Sequence, residues 1–424
     1  MYRTQIIIRC LVILLIGFRT FAQSPKSHHP IFQYPVPQGE YQVGTRFMVL
    51  TDYDRPDIFT KDTSDFRKFW IQIWYPAEPG YDSKPSPYYR KEIADHFIEM
   101  GLFESSFNED VALHASYSFL EAPVNNKRGK FPVLIYSSSG VMNANLFLFE
   151  NLASHGYVVV SVGHPHWCVF YYNENGEPFF PDYKNNIHYQ NMWKEEGSEI
   201  VNQTKEKITI AKNANEKKAL HRELNNLMPV EISDVRLWTQ DFDFVITELS
   251  KRNTREALFQ GILDLNKIGI FGYSKGGVAA AHACLSNTKY KAGINLSGFM
   301  FGDIEDENIK VPFMNIESEE SWCVNCEPIN DIIYYSAEDD VYMVQVKGAT
   351  HGNFTDLSAY KDYITTDFNN LLGSIDGSFF HRIQSEYILS FFNIYLKDFK
   401  SNLLTEHTDH YDEVRVKFNI RRLQ

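Results

Sequence analysis

The sequence predicts an α/β fold built on a doubly wound, mostly parallel sheet with helices on both faces. Short apolar runs such as Pro132-Val-Leu-Ile-Tyr136 and Tyr157-Val-Val-Val-Ser-Val162 alternate with segments at helical spacing, as parallel strands covered on both faces do. Another such run, from Ile268, breaks at Gly272 and resumes at once as a small-residue helix through Ala279, Ala280 and Ala281, with Ser274 at the corner. The chain of 424 residues, 44% hydrophobic and 15% aromatic, is large enough for one domain carrying insertions, and a second domain is not required.

The elements follow in order. An apolar stretch from Ile6 to Phe18, interrupted by Arg9, has the layout of a signal peptide over residues 1–22, with cleavage expected after Ala22 and a secreted or periplasmic product. At under about 20 residues it is too short for a membrane anchor. Residues 23–41 are a Pro- and His-rich lead-in, and 42–400 form the main domain. Arg67 to Pro76 alternates in period two and stops at proline, as an early strand does. After the strand 132–136 comes a helix over 147–155, and after the strand 157–162 an insertion over about 167–233. The insertion's Lys- and Glu-rich part, 205–227, is expected to be solvated helix and receives no site. A helix over 234–249 leads into the strand before Ser274, and strands follow over 291–296, 311–316 and 342–346. A helix over 385–397 packs on the sheet, and 401–424 is a tail.

The net charge of −13 leaves no basic stripe for nucleic acid and disfavours docking on anionic lipid by charge. In the mature chain Cys168, Cys284, Cys323 and Cys326 remain. Cys323-Val-Asn-Cys326 lacks a redox fold around it and a second pair or histidine spacing for zinc, so a structural role or none is expected. The sequence calls for no metal and no cofactor, and it leaves oligomeric state open.

Gly272-Tyr-Ser-Lys-Gly276 between a strand and an alanine-rich helix is a nucleophile elbow, the mark of the α/β-hydrolase fold. The turn is strained, and the residues two before and two after the serine are small so that strand and helix can pass. The helix directs its N-terminal N–H groups at any oxyanion forming beside Ser274. In this fold an acid and then a histidine follow, each at the end of its own strand. His351, in a glycine-bracketed loop after the strand 342–346, fits the last place as general base. The oxyanion hole then falls to the backbone N–H of Lys275 and that of Ser139, with no part required of the Lys275 side chain.

Together these residues resemble the secreted platelet-activating factor acetylhydrolases, serine esterases of the phospholipase A2 type. The similarity runs from about Pro35 to Lys400. Its landmarks are Pro37-Gln-Gly-Glu-Tyr-Gln-Val-Gly44, Trp74-Tyr75-Pro76, Leu152-Ala-Ser-His-Gly156, the elbow, Gly293-Ile-Asn-Leu-Ser-Gly-Phe-Met-Phe301 and Gly348-Ala-Thr-His-Gly-Asn-Phe354. The resemblance implies Ser274 as nucleophile, His351 as base, the Ser139 and Lys275 amides as oxyanion hole, and a small-molecule or lipid ester as substrate. Where the family carries its acid, this chain has Ser297, and where the family has a His-Gly pair it has Tyr136-Ser137-Ser138. Two readings of Ser297 stand. Either the acid has moved to Glu317, Glu319 or Glu320, with Glu320 the first choice, or the protein is a feeble or inactive hydrolase that keeps a binding cleft. A third reading keeps the chemistry on another ester, such as an acetylated polysaccharide, lactone or polyester. The segment Ile93 to Phe103 falls where the family touches lipid surfaces, and packing against the body is favoured over transient lipid contact. His164 and His166 are expected to line the pocket.

Overall fold

A computed structural model describes residues 35–421 apart from 61, 63, 113, 128, 174–175, 182–185, 287–288, 320–329 and 405–409, and the side chains of 110, 112, 286 and 369. Thirteen strands are present among the described residues: β1 Gln42–Pro56, β2 Phe66–Ala77, β3 Pro85–Pro87, β4 Ala115–Leu120, β5 Phe131–Ser138, β6 Val158–Gly163, β7 Tyr171–Tyr172, β8 Pro178–Phe179, β9 Leu263–Tyr273, β10 Tyr290–Leu296, β11 Phe313–Ser318, β12 Val341–Val346 and β13 Val414–Asn419. The α-helices are α1 Lys91–Glu99, α2 Leu146–Ser154, α3 Ile187–Glu196, α4 Glu199–Ile210, α5 Ala214–Leu227, α6 Pro229–Arg255, α7 Lys275–Ser286, α8 Asp331–Ser336 and α9 Gly377–Lys397.

Eleven strands make one sheet in the order β13-β12-β11-β10-β9-β5-β6-β2-β1-β4-β3. The ladders from β6 through β5, β9, β10 and β11 to β12 are parallel. The strand order reverses between β5 and β9, because the chain leaves β5 for β6 on one side and returns to β9 on the other. Open α/β sheets place their ligand crevice at the carboxyl ends of strands at such a point. Alternation in β5 sends Val133 and Ile135 to one core and Leu134 and Tyr136 to the other. The first core is closed by Trp238, Phe242 and Val245 of α6 and by Ala279 to Ala281 of α7. The second is closed by Phe149 and Leu152 of α2 and by Phe391 and Phe392 of α9. The expected doubly wound fold is the observed one.

Several boundaries differ from the sequence reading. Helix α6 begins at Pro229, where proline at the first helical position suits a missing intrahelical N–H, and not at Asp234. Helix α9 begins at Gly377 because the Asp376 side chain accepts the Phe379 N–H, 2.8 Å, and caps it eight residues before the expected start. Residues 401–424 are not merely a tail: β13 adds to β12 as an antiparallel edge strand in register from Val341 opposite Asn419 to Val346 opposite Val414. The α1 segment packs as favoured, with Ile93, Ala94, Phe97, Leu102 and Phe103 all buried against the body. The N-terminal 34 residues, which include the expected signal peptide, and Cys323 and Cys326 lie outside the described residues, whereas Cys168 and Cys284 are buried thiols.

Candidate active site

Ser274 occupies the left-handed region with φ 57°, unusual for a residue with a Cβ and a mark of stored backbone strain at functional turns. Its surroundings enforce the turn. A Cβ on Gly272 would overlap the Gly276 carbonyl, and one on Gly276 would overlap the Ser137 carbonyl at the end of β5. The Ser274 N–H donates to the Leu296 carbonyl, 3.0 Å, and the Ser274 carbonyl accepts from the Gly277 N–H, 2.9 Å, which starts α7. The elbow is therefore wedged between β5 and β10.

Register brings the other candidates to the same rim. Ser138, Tyr273, Leu296, Ile316 and Val344 lie in one row across β5, β9, β10, β11 and β12. The next residues along β5, β9 and β10 are Ser139, Ser274 and Ser297, and all three are half-buried, as are Lys275 and His351. His351 opens a 3-10 turn, His351–Phe354, that follows β12. Asn353 Oδ1 accepts the Thr350 N–H, 2.8 Å, and the Thr350 hydroxyl donates to the Leu371 carbonyl, 2.6 Å, which fixes this turn. The Tyr273 ring stacks on the imidazole at 4.7 Å between centroids and 29° between planes, and its hydroxyl donates to the His351 carbonyl, 3.1 Å. His351 Nδ1 lies 3.0 Å from Ser297 Oγ. The imidazole is thus gripped by the residue before Ser274 and by Ser297, where the resemblance implies an acid. The Ser274 hydroxyl makes no hydrogen bond to another described residue; such contacts are often long in unliganded sites.

The candidate acids separate. Glu317, buried on β11, accepts from the Asn315 side chain, and Glu319 Oε2 accepts the Gly348 N–H at 2.7 Å. Glu320 lies outside the described residues. Of the residues whose contacts with His351 Nδ1 are described, the partner is a hydroxyl, with Ser297 itself at φ 56°. Among the described residues no cluster of three or more His, Cys, Asp or Glu could hold a metal ion, and no helix is long and apolar enough to cross a membrane.

One expectation changes, and Lys275 shows partners that the sequence did not name: its Nζ is buried 2.7 Å from Glu231 Oε2 and 3.3 Å from Asp234 Oδ2, both on α6. Burial works against its charge, but the two carboxylates hold its pKa above the ordinary lysine value. The first turns of α6, which follow the charged stretch 205–227, therefore pack behind Lys275. His164 does not line a pocket but is fully buried, with Nδ1 2.8 Å from Asp241 Oδ2 and Nε2 2.9 Å from Ser137 Oγ. His166, half-buried at φ 71°, lies 3.5 Å from Asp57 and packs its ring on Phe59 at 4.7 Å. A signal for the buried acids was present: Glu231, Asp234 and Asp241 interrupt the apolar face formed by Ile232, Val235, Trp238 and Phe242. Carboxylates on such a face need partners in the core.

Residues 28–410 match the family described as "Platelet-activating factor acetylhydrolase, isoform II". The chain belongs to this family. Among curated platelet-activating factor acetylhydrolases, that of Cavia porcellus is 25% identical over 63% of this chain and 58% of its own length. That of Bos taurus is 23% identical over 89% of this chain and 81% of its own. The chain thus spans less than two thirds of the first relative and most of the second. Among solved structures, a ferulic acid esterase from Streptomyces cinnamoneus superposes with TM-score 0.69 at 18% identity, covering 91% of this chain and 99% of that one. At that identity the likeness speaks for the α/β-hydrolase fold, here carried by a platelet-activating factor acetylhydrolase family member.

Proposed function

We propose that the protein is a secreted serine esterase that hydrolyses short acyl esters, phospholipid-like ones by kinship, through an acyl-enzyme on Ser274. The observation that carries this reading is the grip on His351, held between the Tyr273 ring and Ser297 Oγ beside the elbow. In the proposed reaction Ser274 Oγ attacks the acyl carbonyl while His351 Nε2 takes its proton, and the backbone N–H groups of Lys275 and Ser139 receive the oxyanion. The alcohol leaves with the proton from His351. Water, deprotonated by the same nitrogen, then releases the carboxylic acid and regenerates Ser274. No metal or cofactor enters these steps.

For Nε2 to act as base, Nδ1 must carry the other proton and donate it to Ser297 Oγ. A hydroxyl can fill that role, but it also can donate to Nδ1 and so stabilise the unproductive tautomer, and it brings no charge to balance an imidazolium. The reading therefore implies an esterase slower than one with a carboxylate there. Kinship with platelet-activating factor acetylhydrolases supports an ester substrate with a short acyl group, and the layout of residues 1–22 supports export.

The test is labelling with a fluorophosphonate probe followed by peptide mapping, alongside turnover of p-nitrophenyl acetate, a short-chain phosphatidylcholine and a feruloyl ester. Covalent modification at Ser274, lost in Ser274→Ala, is expected, with the phospholipid ester preferred to the feruloyl one. Folded protein that stays unlabelled would turn the reading toward a non-catalytic binding protein on the same scaffold. Loss of turnover in Glu320→Gln would return the acid role to Glu320.

A further inference from the structure

The two loops assigned to the oxyanion hole are both anchored from behind by one face of α6. Glu231, Asp234, Trp238 and Asp241 stand three, four and three residues apart, which puts them on one side of a helix. At the N-terminal end of this face, Glu231 and Asp234 take the Lys275 ammonium at the first position of α7. Asp234 is itself held by the Trp167 indole N–H, 3.0 Å, and by His188 Nε2, 2.7 Å. At the other end, Asp241 receives Arg67 through both oxygens, at 2.9 and 2.7 Å, Arg55 at 3.0 Å, and His164 Nδ1. Burial pushes His164 below the usual imidazole range, so the neutral ring donates from Nδ1 to the carboxylate and accepts the Ser137 hydroxyl proton at Nε2. Trp238 joins the two ends: its ring stacks on His164 at 4.0 Å and 5° and lies 5.9 Å from Lys275 Nζ.

The Ser137, His164 and Asp241 chain has the connectivity of a catalytic triad, yet all three side chains are fully buried, so Ser137 meets no substrate. Its end is informative. Ser137 lies two residues before Ser139, and its carbonyl is the group against which Gly276 packs. Buried ion pairs seldom add net stability over apolar packing of the same shape, because desolvation offsets the attraction. Charge concentrated behind these two loops calls for another account, and oxyanion donors work only when held to within about 0.5 Å of their productive positions, roughly 3 Å from the oxygen that becomes charged.

We propose that this face of α6 is the rear clamp of the oxyanion hole, with Asp241 acting through His164 and Ser137 on the β5 loop, and Glu231 and Asp234 acting through Lys275 on the first turn of α7. These are positioning residues, and the assignment rests on the serine esterase reading of the site. One rigid helix sets the distance between two amides that belong to different strands. Helix α6 then has a task in the chemistry besides covering the sheet.

The test uses the full chain with Ser137→Ala and Lys275→Met, which loosen one arm each, and Lys275→Arg, which keeps the charge. Two readouts are taken: hydrogen exchange of the backbone around 137–140 and 274–277, and the rate of Ser274 phosphonylation with kcat and KM for an acetyl ester. Ser137→Ala is expected to speed exchange in the first segment and Lys275→Met in the second. Each should lower kcat and phosphonylation about tenfold or more, against the 10²–10³ that loss of a whole donor costs, with KM within about twofold. Lys275→Arg should recover most of the rate. Unchanged exchange and unchanged rates in both arms would overturn the clamp. Wild-type protein inert to the probe would sink the esterase reading instead, and the exchange data would still decide the clamp. Should Lys275→Met fail to fold, Ser137→Ala carries the same test on the other arm.

Discussion

Ser297 Oγ lies 3.0 Å from His351 Nδ1, so a hydroxyl stands at the one ring nitrogen that an acid would be expected to engage. The backbone at this position also suits an aspartate. Its φ of 56° falls in the left-handed region, where aspartate is among the residues best tolerated. Ser297→Asp should fix the productive tautomer and stabilise the imidazolium, raising kcat by about 10- to 1,000-fold, since misdirecting the imidazole of a serine protease costs about 10⁴. Ser297→Ala should lower kcat about tenfold with little change in KM. Steady-state kinetics on one ester decide it: equal turnover in the three proteins would mean that the Ser297 contact does not orient the base.

The elbow predicts a steric result. A methyl group at Gly276 has nowhere to go, because its neighbour is the Ser137 carbonyl, which is backbone held in the β5 ladder and cannot swing aside. Gly276→Ala should cost more than about 3 kcal/mol or prevent accumulation of folded protein. A denaturant melt that superposes on the wild type would contradict so close an approach of α7 to β5.

These two sites also mark what was legible in the chain. The sharp turn at Ser274 could be read because its geometry demands small residues at fixed offsets from the serine, and the placement of His351 just after β12 because the fold orders its strands. The parallel core strands were legible as unbroken apolar runs. What escaped notice depends on groups far apart in sequence. Lys275 meets Glu231 only because the insertion folds back across α7, and Ser137 meets Asp241 only through His164. A charged residue in a sequence reads as solvated until its buried partner is known, and nothing local to Lys275 names that partner. The two helices expected to start later than they do had local causes for it, the Pro229 first turn and the Asp376 cap, which were present and outweighed by apolar spacing further along.

The C-terminal strand makes a third prediction. β13 covers the edge of β12, the strand that leads to His351, and the Glu413 carbonyl accepts the Lys347 N–H at 2.7 Å. Beyond the strand, the Arg421 N–H donates to Asp340 Oδ1, 2.7 Å, whose other oxygen accepts the Tyr395 hydroxyl of α9, 2.8 Å. Ending the chain after Tyr411 removes the bonds made by β13 and Arg421 and bares a strand edge open to pairing with other chains. At about 1 kcal/mol for each ladder bond lost, the truncated protein should be several kcal/mol less stable and should aggregate on warming. A melting temperature equal to that of the full chain, with no added light scattering, would assign these residues a peripheral role.

Glu150 supplies a pH prediction. It is buried on α2, with one carboxyl oxygen accepting the Ser118 hydroxyl at 2.5 Å and the other without a close hydrogen-bond partner among the described residues. Burial raises its pKa to about 7 against the partial relief given by the Ser118 and Ser116 hydroxyls and the backbone of Tyr117 and Ser118. The sign follows from proton uptake: a carboxyl that holds its proton more tightly when folded contributes stability that is fully present below its unfolded value, near 4.5, and is lost as pH rises through about 7. Glu150→Gln keeps the shape and an acceptor for Ser118 but has no proton to lose. Between pH 4.5 and 8 the variant should therefore gain on the wild type by up to about 3 kcal/mol, most of it by pH 7.5. Comparing the two proteins at each pH cancels the buried histidines, such as His381 near 4, whose neutral forms make stability rise with pH over part of the same range. Urea melts at pH 5, 6, 7 and 8 measure the difference, and a flat one would mean that Glu150 is ionised in the fold at an ordinary pKa.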